Sequence, residues 1–348
     1  MTARVPYAGA VTSPIARRRP TIDDVAKEAG VSRGTVSRVL NGGHWVSPES
    51  LGAVNGAIKK TGYRINPHAR NLATNRANSV AFLLTESHES LFEDPNFSIL
   101  MRGAALALEA HDMPLVLLMA GSDAEQRRVT EFVTAGHVDG VLLVSSHRGR
   151  QSFMTDIVRS GVPAIACGVP LGFERKIGFV SVDERNSARM AVEYLRSTGR
   201  NRIATITGPA DTSGGVGRLE GYREELGDLF DASIVVTGDY SRSSGARGMR
   251  ELLERDAGID AVFAANDLMA AGALEVLQAA GRRVPEDVAV VGFDDSSIAT
   301  STTPQLTTLR QPFERISQEM VRLLLEVING EPAGVVTLPT QLIVRESA

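Results

Sequence analysis

Residues 21–41 read TIDDVAKEAGVSRGTVSRVLN, and this stretch predicts two short helices joined by a tight turn. Thr21 is a favourable N-cap, and two aspartates follow it in the first turn, where the helix dipole favours negative charge. Gly30 ends the first helix, and Ser32 can cap a second helix over Arg33–Leu40. Apolar residues recur on one face of each helix, so the two helices are expected to pack against each other.

A third helix is predicted after the glycine pair Gly42-Gly43. Ser47 and Pro48 restart the chain as N-cap and first helical residue, and Gly62 ends the helix. Its apolar stripe consists of Leu51, Val54 and Ile58. Three short helices, two of them separated by a glycine turn, are typical of a helix-turn-helix.

The second helix leaves a polar face unburied, which consists of Arg33, Gly34, Thr35, Ser37 and Arg38. Arginine can contact guanine bidentately in the major groove of DNA, and hydroxyl groups can contact phosphates. Small residues allow the helix to lie close to the base edges. The alternative is an ordinary solvated helix face, because most polar stripes are solvated.

The charge of the chain is unevenly distributed. Residues 1–76 contain 12 Lys and Arg against four Asp and Glu, whereas the remainder contains 25 against 37. A basic module joined to an acidic body indicates that the first part binds a polyanion. A solvated basic tail is the alternative that charge alone leaves open, since residues 1–20 show no periodicity and are predicted to be disordered.

Residues 21–41 resemble the N-terminal headpiece of the LacI/GalR family of bacterial transcription regulators, and so do Gly62-Tyr63 and the segment 66–74, NPHARNLAT. The resemblance implies that this segment is a hinge helix that folds on operator DNA and inserts Leu72 into the minor groove. The residues fit this role, because the segment is too short and polar to form a stable helix alone. An exposed leucine among basic residues also suits a wedge between base pairs. The alternative is that Leu72 packs against the body.

On this interpretation the helix-turn-helix binds one half-site of an operator. Arg33 and Arg38 are the predicted base-reading residues, and Gly34 allows the close approach. The candidate phosphate contacts are polar residues of the same module: Thr21, Ser32, Thr35, Ser37, Asn41 and Ser47.

After Asn78, short apolar strands alternate with amphipathic helices, which predicts an α/β fold with parallel sheets. The predicted strands are Val80–Leu84, Pro114–Met119, Gly140–Ser145, Ala164–Gly168, Phe179–Val182, Arg202–Thr207, Ser233–Thr237, Ala261–Ala264 and Ala289–Phe293. Helices lie between them, for example over Asn186–Ser197 and Asp267–Ala280. These strands are too many for one small doubly wound domain, so two sheets with a ligand cleft between them are expected.

The family resemblance continues through the body and implies a fold like that of periplasmic sugar-binding proteins, with two parallel-sheet subdomains. The chain would cross between them near Ile177–Val182, Thr307–Arg310 and Gly330–Val336, and the helix Phe313–Ile328 would return to the N-subdomain. No leucine heptads follow the ending at 342–347, so a homodimer is the expectation.

The predicted organisation has four parts. They are a disordered tail (1–20), a helix-turn-helix DNA-binding domain (21–65), a hinge helix and linker (66–78), and an effector-binding and dimerisation domain (79–348). The last part is divided into an N-subdomain of about 79–178 and 310–330 and a C-subdomain of about 179–307 and 335–348.

Six residues at strand ends or crossovers are the candidate effector contacts: Arg218, Tyr240, Asn266, Asp294, Gln311 and Phe313. The resemblance implies effector contacts for the first three of these and cleft positions for Gln311 and Phe313. Asp294 is chosen because a carboxylate after a strand can accept from paired hydroxyls. Arginine, amide, carboxylate and aromatic groups together are typical of carbohydrate pockets. Alternatives remain for three of them: Arg218 pairs with Glu224 or another acid, Tyr240 is a core residue, or Asp295 replaces Asp294. Arg218 is expected to open a helix and Asp267 to cap one. The segment Glu89–Asn96 is expected at a lip of the cleft, without an assigned role.

Other classes of protein fit less well. The glycines at 208, 215, 217 and 221, with Asp239, resemble a dinucleotide-binding fingerprint, but the third glycine comes one residue late. The single cysteine, Cys167, excludes a disulfide framework and is expected to be a buried thiol. The six histidines show no metal-ligand spacing, so neither an enzyme nor a metal or other cofactor is predicted. A purely periplasmic sugar-binding protein conflicts with the DNA-binding headpiece and with the lack of a signal peptide.

The sequence therefore predicts a cytoplasmic repressor that binds double-stranded operator DNA as a homodimer. A small effector, a mono- or oligosaccharide, is expected to release it, with a purine-like corepressor as the alternative. No stretch is long and apolar enough to span a membrane.

Overall fold

A computed structural model describes residues 20–40, 46–63 and 76–348. The chain divides into two compact units, residues 1–75 and 76–348, which are described separately.

The described part of the first unit, residues 20–40 and 46–63, contains three helices. They are α1 (Ile22–Ala29), α2 (Arg33–Leu40) and α3 (Pro48–Thr61). A small core joins them, with Val25, Val36 and Val54 fully buried. Leu51, which was predicted to belong to the apolar stripe of α3, is 44% exposed, and Ala57 is buried with Val54 instead.

The capping residues act as the sequence predicts. Thr21 forms a capping box with Asp24, and Gly30 ends α1 in the left-handed conformation. Ser47 accepts a hydrogen bond from the backbone N–H of Ser50, Pro48 is the first residue of α3, and left-handed Gly62 ends that helix.

The second unit contains two six-stranded sheets. Sheet 1 has the order β2-β1-β3-β4-β5-β11 and is parallel throughout. Its strands are β1 (Val80–Leu84), β2 (Leu115–Met119), β3 (Gly140–Val144), β4 (Ala164–Cys167), β5 (Gly178–Val182) and β11 (Val335–Leu338).

Sheet 2 has the order β7-β6-β8-β9-β10-β12, in which only β12 is antiparallel to its neighbour. Its strands are β6 (Ile203–Thr207), β7 (Val235–Thr237), β8 (Ala261–Ala264), β9 (Ala289–Asp294), β10 (Thr307–Arg310) and β12 (Gln341–Ile343). The two sheets therefore repeat one strand order, which the sequence could not show.

Helices cover the sheets, and each sheet has a separate hydrophobic core on each of its two faces. Beside sheet 1 lie α4 (His88–Glu93), α5 (Pro95–Glu109), α6 (Asp123–Thr134), α7 (Gln151–Arg159) and α13 (Phe313–Ile328). Beside sheet 2 lie α8 (Glu184–Ser197), α9 (Ser213–Leu226), α10 (Arg242–Arg255), α11 (Asp267–Ala279) and α12 (Ser297–Ser301). We call sheet 1 with its helices the N-terminal half and sheet 2 with its helices the C-terminal half.

The chain crosses between the halves three times, each time slightly later than predicted. The crossings follow β5, β10 and β11, at about residues 183, 311 and 339. The predicted subdomain limits assigned β5 and β11 to the C-subdomain, whereas strand pairing places both in sheet 1. The reason is that neither the buried strand β5 nor the largely exposed edge strand β11 carries a local mark of the sheet it joins, because each pairs with a strand distant in sequence. The helix Phe313–Ile328 packs against α5 and sheet 1, so it does return to the N-terminal half.

The helix that carries Arg218 begins earlier than predicted. Arg218 does not open it, because α9 starts at Ser213 with Thr212 as N-cap. Three glycines near this start lower the intrinsic helix propensity. Packing requires small residues here: a Cβ on Gly221 would lie 2.1 Å from the backbone oxygen of Arg185 in α8.

Candidate functional site

A cavity of about 220 Å³ lies between the two halves, at the carboxyl ends of the parallel strands. A single ordered water needs on the order of 10–15 Å³ of such a cavity. The cavity can therefore accommodate a ligand many times larger than one water molecule. All six predicted effector residues line it: Arg218, Tyr240, Asn266, Asp294, Gln311 and Phe313. The structure therefore brings these residues together, and their contact with a ligand remains a prediction.

Arg218 is 6% exposed and is held on several sides. Its Nε donates to Oε2 of Glu184 at 2.7 Å, and its Nη1 donates to the carbonyl of Ala265. Its guanidinium carbon lies 3.6 Å from the centre of the Phe293 ring. Burial lowers the pKa of Arg218, but Glu184 and other acidic groups raise it above its ordinary value. The predicted alternative of an ion pair is thus also real, with Glu184 as the acid, while Glu224 pairs with Arg185.

Tyr240 lies at the wall of the cavity with a left-handed backbone, at a φ of 68°. Its hydroxyl is 3.2 Å from that of Thr212. The ring passes so close to Gly208 that a Cβ there would lie 2.4 Å from it. Tyr240 is partly buried against the core of sheet 2 and still lines the cavity, so the two predicted roles are compatible.

The helix cap at this position is Asn266, whereas Asp267 was the predicted cap. Asn266 is the N-cap of α11, where it accepts from the N–H of Met269 at 2.9 Å and donates to the carbonyl of Tyr240 at 2.9 Å. Asp267 does not cap the helix. It is 1% exposed and accepts hydrogen bonds from Ser296 and Thr308. Both residue types suit an N-cap, so only the packing distinguishes them. Asn266 keeps one N–H and one lone pair for a ligand.

Asp294 is buried at the end of β9, at 6% exposure. Its Oδ1 accepts from Nε2 of Gln311 at 2.7 Å, and its Oδ2 accepts from Nδ2 of Asn96 at 2.9 Å. Burial raises the pKa of Asp294 well above its ordinary value. Asp295 instead forms ion pairs with Arg310 and Arg345, both at 2.6 Å. Of the two adjacent carboxylates, Asp294 is therefore the one in the cavity.

The segment Glu89–Asn96 lies at the cavity, as its position after the first strand predicts. It forms most of α4 and the start of α5, and four of its residues line the cavity: Ser90, Glu93, Asp94 and Asn96. Asp94 is the N-cap of α5 and accepts from the backbone N–H of Asn96 at 2.9 Å. Burial raises the pKa of Asp94 to about 6.

A histidine joins the two halves at the edge of the cavity. His147 follows β3, and its Nε2 lies 2.7 Å from Oε1 of Glu86, which follows β1 in the same sheet. Its Nδ1 lies 3.1 Å from both carboxylate oxygens of Asp211, which follows β6 of sheet 2. The backbone N–H of Arg148 also donates to the carbonyl of Asp211, at 2.8 Å.

These contacts fix the electrostatic state of His147. The hydrogen bond with Glu86 raises the pKa of His147, burial opposes this effect, and Asp211 adds to it. Burial raises the pKa of Glu86, but His147 and Ser145 lower it below its ordinary value. The arrangement therefore favours an imidazolium between two carboxylates.

The described residues that line the cavity carry no cation without an acidic partner. Arg218 is paired with Glu184, and His147 is paired with Glu86 and Asp211. Further carboxylates at the cavity are Glu93, Asp94, Asp239 and Asp294. The cavity is thus acidic overall, which suits a neutral polyhydroxyl ligand and disfavours an anion.

The helix-turn-helix presents the predicted DNA-binding face to solvent. Arg33, Gly34 and Arg38 are exposed on α2. Arg33 is only loosely paired, with its Nε 3.8 Å from Oδ1 of Asp23. The predicted phosphate contacts Thr35 and Ser37 are partly exposed on the same helix.

Three other predicted phosphate contacts are Thr21, Ser32 and Ser47, which precede α1, α2 and α3. Helix N-termini are sites where backbone N–H groups bind phosphate. The remaining predicted contacts, Asn41 and Leu72, lie outside the described residues.

The cavity residues that sequence reasoning did not single out include Glu86 and His147. Glu86 and His147 follow β1 and β3 within a few residues, so the rule that selected Asn266 and Asp294 would also have found them. Asn96 belongs to the segment that was expected at the lip of the cleft, but no role was assigned to it there.

The single cysteine and the glycine-rich segment can be placed in the structure. Cys167 was expected to be buried, but it is half-buried and lines the cavity, and desolvation raises the pKa of its thiol to about 12. The glycines of the dinucleotide-like fingerprint have packing roles, as Gly208 and Gly221 show. In residues 20–40, 46–63 and 76–348, no group of three acidic, histidine or cysteine side chains could hold a metal ion. No helix in those ranges has the length and hydropathy needed to cross a membrane.

Comparison with known proteins gives consistent matches along the chain. Residues 21–66 match the bacterial regulatory proteins of the lacI family, and residues 192–348 match a periplasmic binding protein-like domain. The HTH-type transcriptional regulator CelR of Thermobifida fusca is 46% identical over 337 residues, which cover 95% of this chain and 99% of CelR.

Two solved structures are similar over nearly the whole chain. One is a transcriptional regulator CelR-cellobiose complex, with 44% identity, a TM-score of 0.76 and coverage of 95% and 100% of the two chains. The other is a Lac repressor dimer bound to operator and an anti-inducer, with 26% identity, a TM-score of 0.82 and coverage of 95% and 99%. The chain therefore belongs to the LacI family of bacterial regulatory proteins and is a DNA-binding transcriptional regulator, not an enzyme.

Proposed function

We propose that this regulator is a repressor that a neutral oligosaccharide, with cellobiose as the first candidate, releases from its operator. The observation that carries the proposal is the acidic cavity, in which both cationic side chains are already paired. The CelR–cellobiose complex of the similar regulator supports a sugar in this position and favours it over a purine-like corepressor.

The polar groups of the cavity suit sugar hydroxyls, each of which both donates and accepts. Asn266 has a free donor and a free acceptor position, and Tyr240 offers a ring surface and a hydroxyl. Phe313 adds an apolar side chain on the wall that belongs to the N-terminal half. A phosphorylated sugar would place its charge among carboxylates, so the proposed ligand carries no phosphate.

On the DNA, we assign base reading to Arg33 and Arg38, with Gly34 allowing α2 to lie deep in the major groove. We assign phosphate contacts to hydroxyl and amide residues of the same unit: Thr21, Ser32, Thr35, Ser37, Asn41 and Ser47. Leu72 is proposed as the minor-groove wedge at the centre of the site. The exposure of α2 and the excess of basic residues over 1–76 support these roles.

The repressor is proposed to act as a homodimer in the cytoplasm, so that two headpieces read a pseudo-palindromic operator. The similar Lac repressor structure is a dimer. Apolar side chains are also exposed on the N-terminal half, where Leu106 of α5 is 61% exposed and Leu117 of the edge strand β2 is 40% exposed.

The effector acts through its different affinities for two arrangements of the halves. Sugar binding closes the cleft between the halves. Closure changes the spacing of the hinge segments, residues 66–78 of the two subunits, and lowers their affinity for DNA. A coupling free energy of about 1–3 kcal/mol would reduce operator affinity about 5- to 150-fold.

The test starts with selection of an operator from a random duplex library by the purified full chain. Fluorescence anisotropy then measures operator affinity with cellobiose, cellotriose, glucose or glucose 6-phosphate. We expect release by a neutral oligosaccharide and no effect of the phosphorylated sugar. Failure to select any duplex would refute DNA binding, and a selected operator that no neutral sugar releases would refute the effector assignment.

A thermal-shift measurement supports the same test. A sugar at 100 times its Kd should raise the free energy of unfolding of the body by about 2.7 kcal/mol. Deletion of residues 1–76 should remove operator binding and leave this shift unchanged.

A further inference from the structure

Asn96 connects the two halves from inside the cavity. It lies on α5 of the N-terminal half and is 6% exposed. Its Nδ2 donates to Oδ2 of Asp294 at 2.9 Å, and Asp294 ends β9 of the C-terminal half. This hydrogen bond exists only while the two halves lie close together.

The other polar atom of the same amide has no partner. Oδ1 of Asn96 is buried and accepts no hydrogen bond. In the described part of the chain, the only other buried side-chain polar atom in this condition is Nε of Arg200, whose guanidinium donates to carbonyls at 285 and 286, away from the cavity. Buried polar atoms are nearly always paired in folded proteins, so an unpaired acceptor at a ligand cavity indicates a missing donor.

Among residues 20–40, 46–63 and 76–348, no group donates to this oxygen. The Gln311 amide, which also lines the cavity, donates from Nε2 to Oδ1 of Asp294 and not to Asn96. The backbone N–H of Asn96 is bound to Asp94. A ligand in the cavity can supply the donor, and a sugar hydroxyl is a donor of the right kind.

We infer that Asn96 couples effector binding to closure of the cleft: its Oδ1 accepts a hydrogen bond from one hydroxyl of the bound sugar while its Nδ2 holds Asp294 of the opposite half. This inference rests on the proposed function, because it takes a neutral sugar as the occupant. One planar amide then bonds ligand and C-terminal half at once, so the sugar fixes the amide plane in the orientation that keeps the halves together. Asn96 is thus a specificity-determining residue from the segment that sequence reasoning left without a role.

The experiment combines two substitutions of Asn96 with changes in the ligand. Isothermal titration measures the Kd of cellobiose and of each monodeoxy cellobiose, which lacks one hydroxyl. The full chain is used as wild type, Asn96→Ala and Asn96→Leu. The leucine variant keeps the number and branching of the side-chain heavy atoms, so it guards against a cavity in the alanine variant. Asn186→Ala is the matched control, because Asn186 is exposed on α8 and its side chain lies outside the cavity.

We expect the wild type to lose about tenfold in affinity when the hydroxyl that Asn96 recognises is removed. Both Asn96 variants should bind cellobiose about tenfold more weakly than the wild type, and they should no longer discriminate against that one deoxy sugar. Their discrimination at every other hydroxyl should remain. A purely structural role would weaken all the sugars by one factor, and Asn186→Ala should behave as the wild type.

The outcomes separate the inference from the proposed function. If the wild type binds cellobiose and both Asn96 variants keep every wild-type discrimination ratio, the role of Asn96 is wrong and the effector assignment stands. If the wild type binds neither cellobiose nor any other neutral sugar of the panel, the proposed function is wrong and the inference falls with it.

Discussion

Raising the pH should weaken effector binding, because a histidine between two carboxylates joins the halves at the edge of the cleft. His147 and Glu86 both belong to the N-terminal half, so only the contact with Asp211 depends on closure. Arg150 and Asp94 also interact with Glu86, and the guanidinium of Arg150 donates to carbonyls at 120 and 121. The pH effect is therefore expected from the ion pair between His147 and Asp211, which spans the cleft.

The geometry sets the size of this effect. The Asp211 side chain is 43% exposed, whereas that of His147 is 16% exposed. Screening by solvent limits such an ion pair to about 0.5–1 kcal/mol, near the upper end for exposed pairs. Its loss should therefore weaken sugar binding only about two- to fivefold. A much larger effect would mean that His147 contacts the sugar directly.

The direction of the pH effect follows from the pKa of His147. Glu86 raises this pKa in both arrangements, and Asp211 raises it further only when the cleft is closed. The closed arrangement therefore binds the proton more tightly than the open one. The contribution of the ion pair is fully present below the open-state pKa and is lost as pH rises through the closed-state pKa, above about pH 6.5.

Isothermal titration of cellobiose between pH 6 and pH 9 measures this contribution. The wild type should lose about two- to fivefold in affinity across the range, and His147→Gln and Asp211→Asn should show a flatter profile. His88→Gln is the matched control, because His88 contacts Glu125 at 2.8 Å entirely within the N-terminal half. It should retain the wild-type slope. If His147→Gln keeps the wild-type slope, the ion pair with Asp211 is not the source of the pH dependence.

Further predictions concern both units. Arg218→Ala should lower the free energy of unfolding by about 3–5 kcal/mol, measured by thermal melting, because it leaves Glu184 buried without its partner. The same variant should bind operator DNA in a complex that no sugar releases, measured by fluorescence anisotropy. Arg33→Ala should cost roughly 1–3 kcal/mol in operator affinity and relax specificity at one base pair, so an unchanged selected operator would contradict its role. Gly34→Ala should fold normally, since only the Ser32 hydroxyl lies within 4 Å of the added Cβ, at 3.7 Å, yet weaken operator binding in the same assay. Leu72→Ala should abolish tight operator binding and leave the Kd of cellobiose unchanged.

The parts of the fold that sequence predicts best depend on local chemistry. Caps at Thr21 and Ser47 and stops at Gly30 and Gly62 act within a few residues, so they can be identified without knowing the rest of the molecule. The start of α9 was missed for the opposite reason. Its glycines weaken local helix propensity and are needed for contacts with segments distant in sequence, such as α8 against Gly221.

One rule accounts for the part of the cleft that the sequence predicted. Polar residues after parallel strands converge at one edge of a sheet, and that rule placed Asn266 and Asp294 correctly at the cavity. It could not decide which of Asn266 and Asp267 caps α11, because this depends on whether Thr308 and Ser296 surround the second position. Likewise, it could not assign β5 to a sheet, because the pairing partner is distant in sequence.

The role proposed for Asn96 depends on contacts that only the folded structure brings together. Its neighbour Asp94 can be recognised as a helix cap from sequence, but an asparagine in the first turn of α5 has no distinctive local role. Asn96 is distinguished by a contact with a residue distant in sequence. Its Nδ2 lies 2.9 Å from Oδ2 of Asp294, a buried carboxylate of sheet 2. If Asn96 contacts the sugar as we propose, it must contact both halves at once, so its role depends on the packing of distant segments and not on a local pattern. A contact of this kind is harder to predict from sequence than the family and the fold, which are evident from the first helices.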